Sequence, residues 1–144
     1  MSGPSLSTKL QVALGAQAVF ALALIFYASY TLLRHLQFDV PQHTADYFVQ
    51  LIAVIVPPAM LLLSFLALRS PRRAIQASVI AQLLVCLAAA RFLVPELLRV
   101  ARGEDVDWAG RLLIAGSVPV VLVSLTLAAV FCHHLAVTRN SHHA

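Results

Sequence analysis

"LQVALGAQAVFALALIFYASYTLL", residues 10–33, runs for 24 residues without a charge. Crossing the hydrocarbon core of a bilayer takes about 20 apolar residues in a helix, so this stretch has the length of a span. The apolar core of a secretory signal stops at about 15 residues. The stretch is therefore expected to stay in place as a first span. Three further runs follow, over Tyr47–Leu68, Ala74–Leu98 and Leu112–Leu135. Lipid offers backbone N–H and C=O groups no partner, so each run must be a helix. None alternates as a barrel strand of about 10 residues would. The expected fold is an all-α, four-transmembrane-helix bundle, one integral membrane domain over residues 1–144.

Composition agrees. Of 144 residues, 60% are hydrophobic and 11% charged, with a mean hydropathy of +0.87. A water-facing surface of this size calls for about 25% charged residues. The net charge of +4 raises nucleic acid as a partner, but that needs a basic patch on a soluble face. Here the basic residues close the ends of apolar runs, so no nucleic-acid partner is expected. Lys9 is the only lysine beside nine arginines, a bias that fits a GC-rich bacterial genome, and a bacterial inner membrane is the expected location.

Charge also orients the bundle. The connections after the first and third runs, with the adjoining helix ends, carry all six acids (Asp39, Asp46, Glu96, Glu104, Asp105, Asp107) and five arginines (Arg34, Arg91, Arg99, Arg102, Arg111), a net −1. The opposite face carries Lys9, Arg69, Arg72, Arg73 and Arg139 with no acid, a net +5. Basic residues tie at five on each face, so the dense arginine cluster in "LRSPRRA" decides. Positive short loops stay in the cytoplasm, which places both termini there. Trp108, Tyr47 and Phe48 fall at the outer boundary, where amphipathic rings prefer to sit. Asp107 is placed to cap the fourth helix and Asp46 the second.

The chain also echoes itself. Ala16–Gln17 is followed by Leu32–Arg34 ("LLR"), and Ala81–Gln82 by Leu97–Arg99 ("LLR"), at an offset of 65. "AVIVP" ending at Pro57 resembles "AGSVP" ending at Pro119, at an offset of 62. Two copies of one helical hairpin in the same orientation, a parallel repeat, would produce this pattern. Gln17 and Gln82 then share one depth, and the helix-interrupting prolines another.

Four residues are candidates for binding a ligand or partner: Arg91, Glu96, Gln17 and Gln82. About 17 uncharged residues separate Arg91 from the start of its run, which puts it in the outer third of the bilayer. Ionisable groups within a span are costly and mark partners, pathways or the interface. Pro95 leaves the Arg91 carbonyl without its helical donor, and Glu96 follows directly. Seven hydroxyl residues in or near the runs (Ser29, Thr31, Ser64, Ser78, Ser117, Ser124, Thr126) can bond across helices or to their own backbone.

Other chemistry finds little support. Adjacent His133 and His134 point about 100° apart on a helix, and His142 and His143 lie in the tail, so no metal site is expected. His35, Asp39, His43 and Asp46 are interrupted by Pro41. Cys86 and Cys132 sit in apolar runs, where thiols act as small hydrophobes. No catalytic triad, HExxH, phosphate loop, cofactor motif or strict GxxxG is present. An enzyme is therefore the less favoured class. The leading expectation is an accessory or structural subunit packing against other membrane proteins of a larger complex. The alternative is a small homo-oligomeric carrier for a lipid, quinone or other hydrophobic or anionic molecule, its pocket lying between the repeats and lined by Gln17, Gln82, Arg91 and the kinks at Pro57 and Pro119.

Overall fold

The computed structural model describes residues 7–38 and 44–140, and the side chains of 7–29, 50–108 and 110–139. Four helices follow one another: α1 (Thr8–Phe38), α2 (Thr44–Leu66), α3 (Pro71–Ala101) and α4 (Trp108–Asn140). Among the described residues there is no strand. The helices overrun the apolar runs at nearly every end, because hydropathy reports depth in lipid whereas Arg, Lys and Gln continue a helix in water as readily as Leu does. Only α2 stops early, at Leu66.

Three segments, Thr8–Ser29, Pro71–Ala101 and Gly110–Arg139, are long and apolar enough to cross a membrane. The chain is thus an all-helical membrane protein. The apolar described part of α2, Gln50–Leu66, is shorter at about 26 Å. The full 23 residues of α2 reach about 34 Å.

Local chemistry sets the turns. After α2, Arg69 and Ser70 donate backbone N–H bonds to the Leu66 carbonyl at 3.0 and 2.9 Å, closing a tight turn over the buried Ala67. Pro71 then starts α3, where its missing N–H costs nothing. At the far end of α3, Gly103 adopts φ +71°. Its N–H donates to the Val100 carbonyl at 3.0 Å, and the Glu104 N–H reaches back to Arg99 O at 3.0 Å. This is a Schellman stop, which needs a residue without a Cβ penalty at the left-handed position. Asp107 caps α4 as its spacing implied: Oδ1 accepts from the Gly110 N–H at 2.8 Å. Asp46 lies inside α2 rather than ahead of it, too late for the capping role expected of it, and its side chain is outside the described residues. So are the side chains of Arg34, His35, Asp39, His43, Tyr47, Phe48, His142 and His143.

The helices form a ring in chain order, with α1 opposite α3 and α2 opposite α4. The seam between α1 and α4 is the loosest of the four. Two apolar clusters fill the centre. One gathers Leu10, Leu14, Ala67, Ile75, Leu127 and Phe131 towards the end that carries the 2–3 turn. The other gathers Ala21, Val56, Met60, Ala81 and Val85 farther along.

Candidate functional site

Between the two clusters lies a polar layer supplied by all four helices. Gln17, Ser64, Ser78, Gln82 and Ser124 are all buried, with Gln17, Ser78, Gln82 and Ser124 at 0% exposure. Three of them sit one helical turn from members of both clusters: Gln17 between Leu14 and Ala21, Ser64 between Met60 and Ala67, and Ser78 between Ala74 and Ala81. A turn-by-turn spacing of this kind is what lets one helix face feed two layers and a stripe between them.

Gln17 is the hub. Its Nε2 donates to Met60 O at 3.1 Å, Ser64 Oγ at 3.0 Å and Ser78 Oγ at 3.1 Å. An amide has two hydrogens, so one of them is shared. Ser64 passes the bond on, its Oγ donating to Met60 O at 3.0 Å. Gln17 Oε1 accepts from Gln82 Nε2 at 3.2 Å. This last bond spans a diagonal of the ring, between helices whose backbones do not touch. Gln82 Oε1 and Ser124 Oγ, though buried, have no hydrogen-bond partner.

The orphaned hydroxyl leads to a direct expectation. A buried polar group without a partner costs about 1–3 kcal/mol, and Ser124→Ala removes it with almost no change of volume. The variant is expected to resist SDS-induced unfolding better than wild type, by about 0.5–1 kcal/mol. A Ser124→Ala protein that unfolds earlier contradicts the assignment.

Arg91 stands apart from the layer. It is exposed and lies on an outward stripe of α3 with Ile80, Leu84, Leu87, Val94 and Leu98, all exposed. Those residues recur at helical spacing around it, so the stripe is apolar except for one cation. Among the described residues Arg91 has no hydrogen bond or ion pair. It lies about 30 Å along α3 from Pro71, the depth of a hydrocarbon core.

Glu96 faces elsewhere again. It pairs with Arg99, whose Nη1 lies 3.3 Å from Glu96 Oε2, and the carboxylate is 17% exposed against 43% for the arginine. Arg99 and Arg102 also flank Glu104 at 3.7 and 3.8 Å. Pairs this long and exposed contribute about 1 kcal/mol or less. Glu96 also closes over α4, since an ideal Cβ on Gly110 would come within 2.7 Å of its Oε2.

Of the four candidates, then, the structure joins Gln17 to Gln82, sends Arg91 outward and assigns Glu96 to the α3–α4 corner. The serines that complete the layer are indistinguishable by sequence from the other hydroxyls. Thr126, for example, only donates back to Leu122 O at 2.8 Å. The two prolines matched in the repeat differ as well: Pro57 is buried and Pro119 exposed. Among the described residues no three metal-ligating side chains gather, and Cys86 and Cys132 are both free thiols. Compared with known protein families, curated proteins and solved structures, the chain matches none of them.

Proposed function

We propose that the protein is a non-catalytic accessory subunit of a larger membrane protein complex, docked through the outward face of α3 around Arg91. The observation that carries this reading is the direction of Arg91. Placing a cation at the centre of a span costs about 2.5–3.5 kcal/mol on insertion scales, and less towards the boundary. An arginine on an outward apolar stripe near the boundary, with no partner in its own chain, is free to pair with a group outside it. A carboxylate on a neighbouring helix meets it in bidentate geometry.

The carrier reading has less support. Its pocket requires Gln17, Gln82 and Arg91 to converge, whereas the two amides engage each other and the guanidinium points away from them. The frame of the proposal is a four-span bundle, α2 crossing with its first turns included. Both termini lie on the cytoplasmic side of a bacterial inner membrane, as the arginine-rich 2–3 turn favours. A tandem repeat of two hairpins is part of it. Residues related by a two-fold axis meet near that axis, and Gln17 and Gln82, 65 residues apart, are bonded side chain to side chain across the ring.

Native mass spectrometry of protein extracted gently from its own membrane tests the docking. Larger subunits are expected to accompany the wild-type chain in fixed ratio. Arg91→Leu should lower their occupancy by at least about tenfold, or about 1.4 kcal/mol of docking energy, with Arg91→Lys retaining part of it. A wild-type chain that runs alone as a defined homo-oligomer, or an Arg91→Leu chain with unchanged company, overturns the reading.

A further inference from the structure

We propose that the groove between α1 and α4 is a binding site for one anionic phospholipid, its phosphate held by Lys9 and its upper acyl chain lying along the seam. The site is separate from the Arg91 face and does not depend on it.

The groove has two continuous parts. The first, of about 510 Å³, is lined by residues including Lys9, Leu10, Val130, His133 and His134. The second, of about 440 Å³, shares Lys9 and Val130 with the first and continues along both helices past Thr8, Val12, Ala13 and Leu127. The two imidazoles border only the first part, Lys9 borders both, and beyond Thr8 and Lys9 the walls of the second part are aliphatic. That is the order of groups along a phospholipid. A soluble ligand has no use for the inner part, and a purely apolar one has none for the mouth.

Charge selects the headgroup. Lys9, Arg69, Arg72, Arg73 and Arg139 all lie at this end of the bundle, and among the described residues no acid accompanies them. A phosphate carrying a net negative charge is favoured there over a zwitterion, by roughly fivefold for one well-placed lysine.

The ring explains why the opening is here. The α2–α3 seam is closed by a four-residue turn, Ala67–Ser70, whose Ala67 is fully buried. The α1–α4 seam is the most loosely packed of the four. In a bilayer, a seam left open in this way is filled by lipid.

The test uses full-length protein in nanodiscs containing equal amounts of phosphatidylglycerol and phosphatidylcholine, released into the gas phase to count retained lipids. Wild type is expected to keep one phosphatidylglycerol in roughly fivefold preference. Lys9→Gln should abolish the preference, Lys9→Arg preserve it, and Val130→Trp, which fills the groove at a lipid-facing position, remove the lipid altogether. The paired change Arg72→Gln with Arg73→Gln, at the same end but away from the groove, should leave retention unchanged. Equal retention of both lipids overturns the proposal. So does a loss in the Arg72/Arg73 variant as large as in Lys9→Gln, which reduces the effect to general surface charge. A lipid-free dimer that Val130→Trp splits assigns the groove to a second copy and also overturns it.

Discussion

Gln17→Met is expected to destabilise the bundle by about 2–4 kcal/mol, while Gln82→Met, which removes the other half of the same hydrogen bond, costs about 1 kcal/mol or less. The asymmetry follows from the wiring. Gln17 serves Met60 O, Ser64, Ser78 and Gln82 at once. Removing it leaves the whole amide of Gln82 buried without a partner, because Gln82 Oε1 has none to begin with. Removing Gln82 instead frees only Gln17 Oε1, and it eliminates an existing orphan. Methionine is the appropriate replacement because its unbranched, adaptable chain fills much the same space.

The pair is expected to be strongly coupled. With both glutamines changed, no amide is left stranded, so the double variant should lose less than the two single losses added together, by about 1 kcal/mol or more. SDS titration of the protein in mixed micelles, followed by circular dichroism, reads all three values. Equal losses for the two single variants, or strict additivity, contradicts the hub role of Gln17. A single interhelical hydrogen bond in a membrane averages only about 0.6 kcal/mol. A large effect at Gln17 therefore measures the stranding of its partners rather than the strength of any one bond.

How far the layer was legible in the sequence depends on what the solvent hides. In a soluble bundle the boundary between apolar and polar faces tells which way a helix turns. Here lipid and core are both apolar, so Leu87 facing lipid and Val85 facing the core look alike in the sequence. The length of the runs gave three of the helices as spans, and Asp107 marked the start of α4 because capping is local chemistry. Gln17 and Gln82 stood out because an amide amid uncharged residues has to find a partner. That the partner would be the other glutamine required knowing that α1 and α3 lie on a diagonal. The direction of Arg91 had one signal, Gln82 and Ser78 on the opposite side of α3, which marks Arg91 as outward only once those two are known to face the core. Ser64, Ser78 and Ser124 differ from Thr126 only in the face they occupy, which the sequence does not mark.

Gly110→Ala reverses an expectation drawn from propensity alone. Alanine is favoured over glycine within a helix by about 1 kcal/mol, and Gly110 sits in the first turn of α4, so the change reads as stabilising. The packing opposes it. A Cβ at this buried position would lie 2.6 Å from Val106 Cγ1, 2.7 Å from Glu96 Oε2 and 3.1 Å from Asp107 Oδ1. Glu96 can swing aside, since its carboxylate ends a flexible chain, at the expense of its contact with Arg99. Val106 cannot do so easily. It is β-branched, stiff at χ1, and buried beneath the loop. Asp107 Oδ1 must also move, and it already holds the Gly110 N–H at 2.8 Å, so the cap is strained as well. Overpacking of this kind costs about 1–3 kcal/mol, which outweighs the propensity gain. Gly110→Ala is therefore expected to destabilise the protein by about 1–2 kcal/mol net. The source can be separated by background. In Glu96→Ala the loss should persist, because the stiff neighbour remains. In Val106→Ala it should shrink by at least half, because the space has been vacated. A Gly110→Ala loss that disappears in Glu96→Ala but not in Val106→Ala would place the tight contact on the carboxylate and refute the order of stiffness argued here.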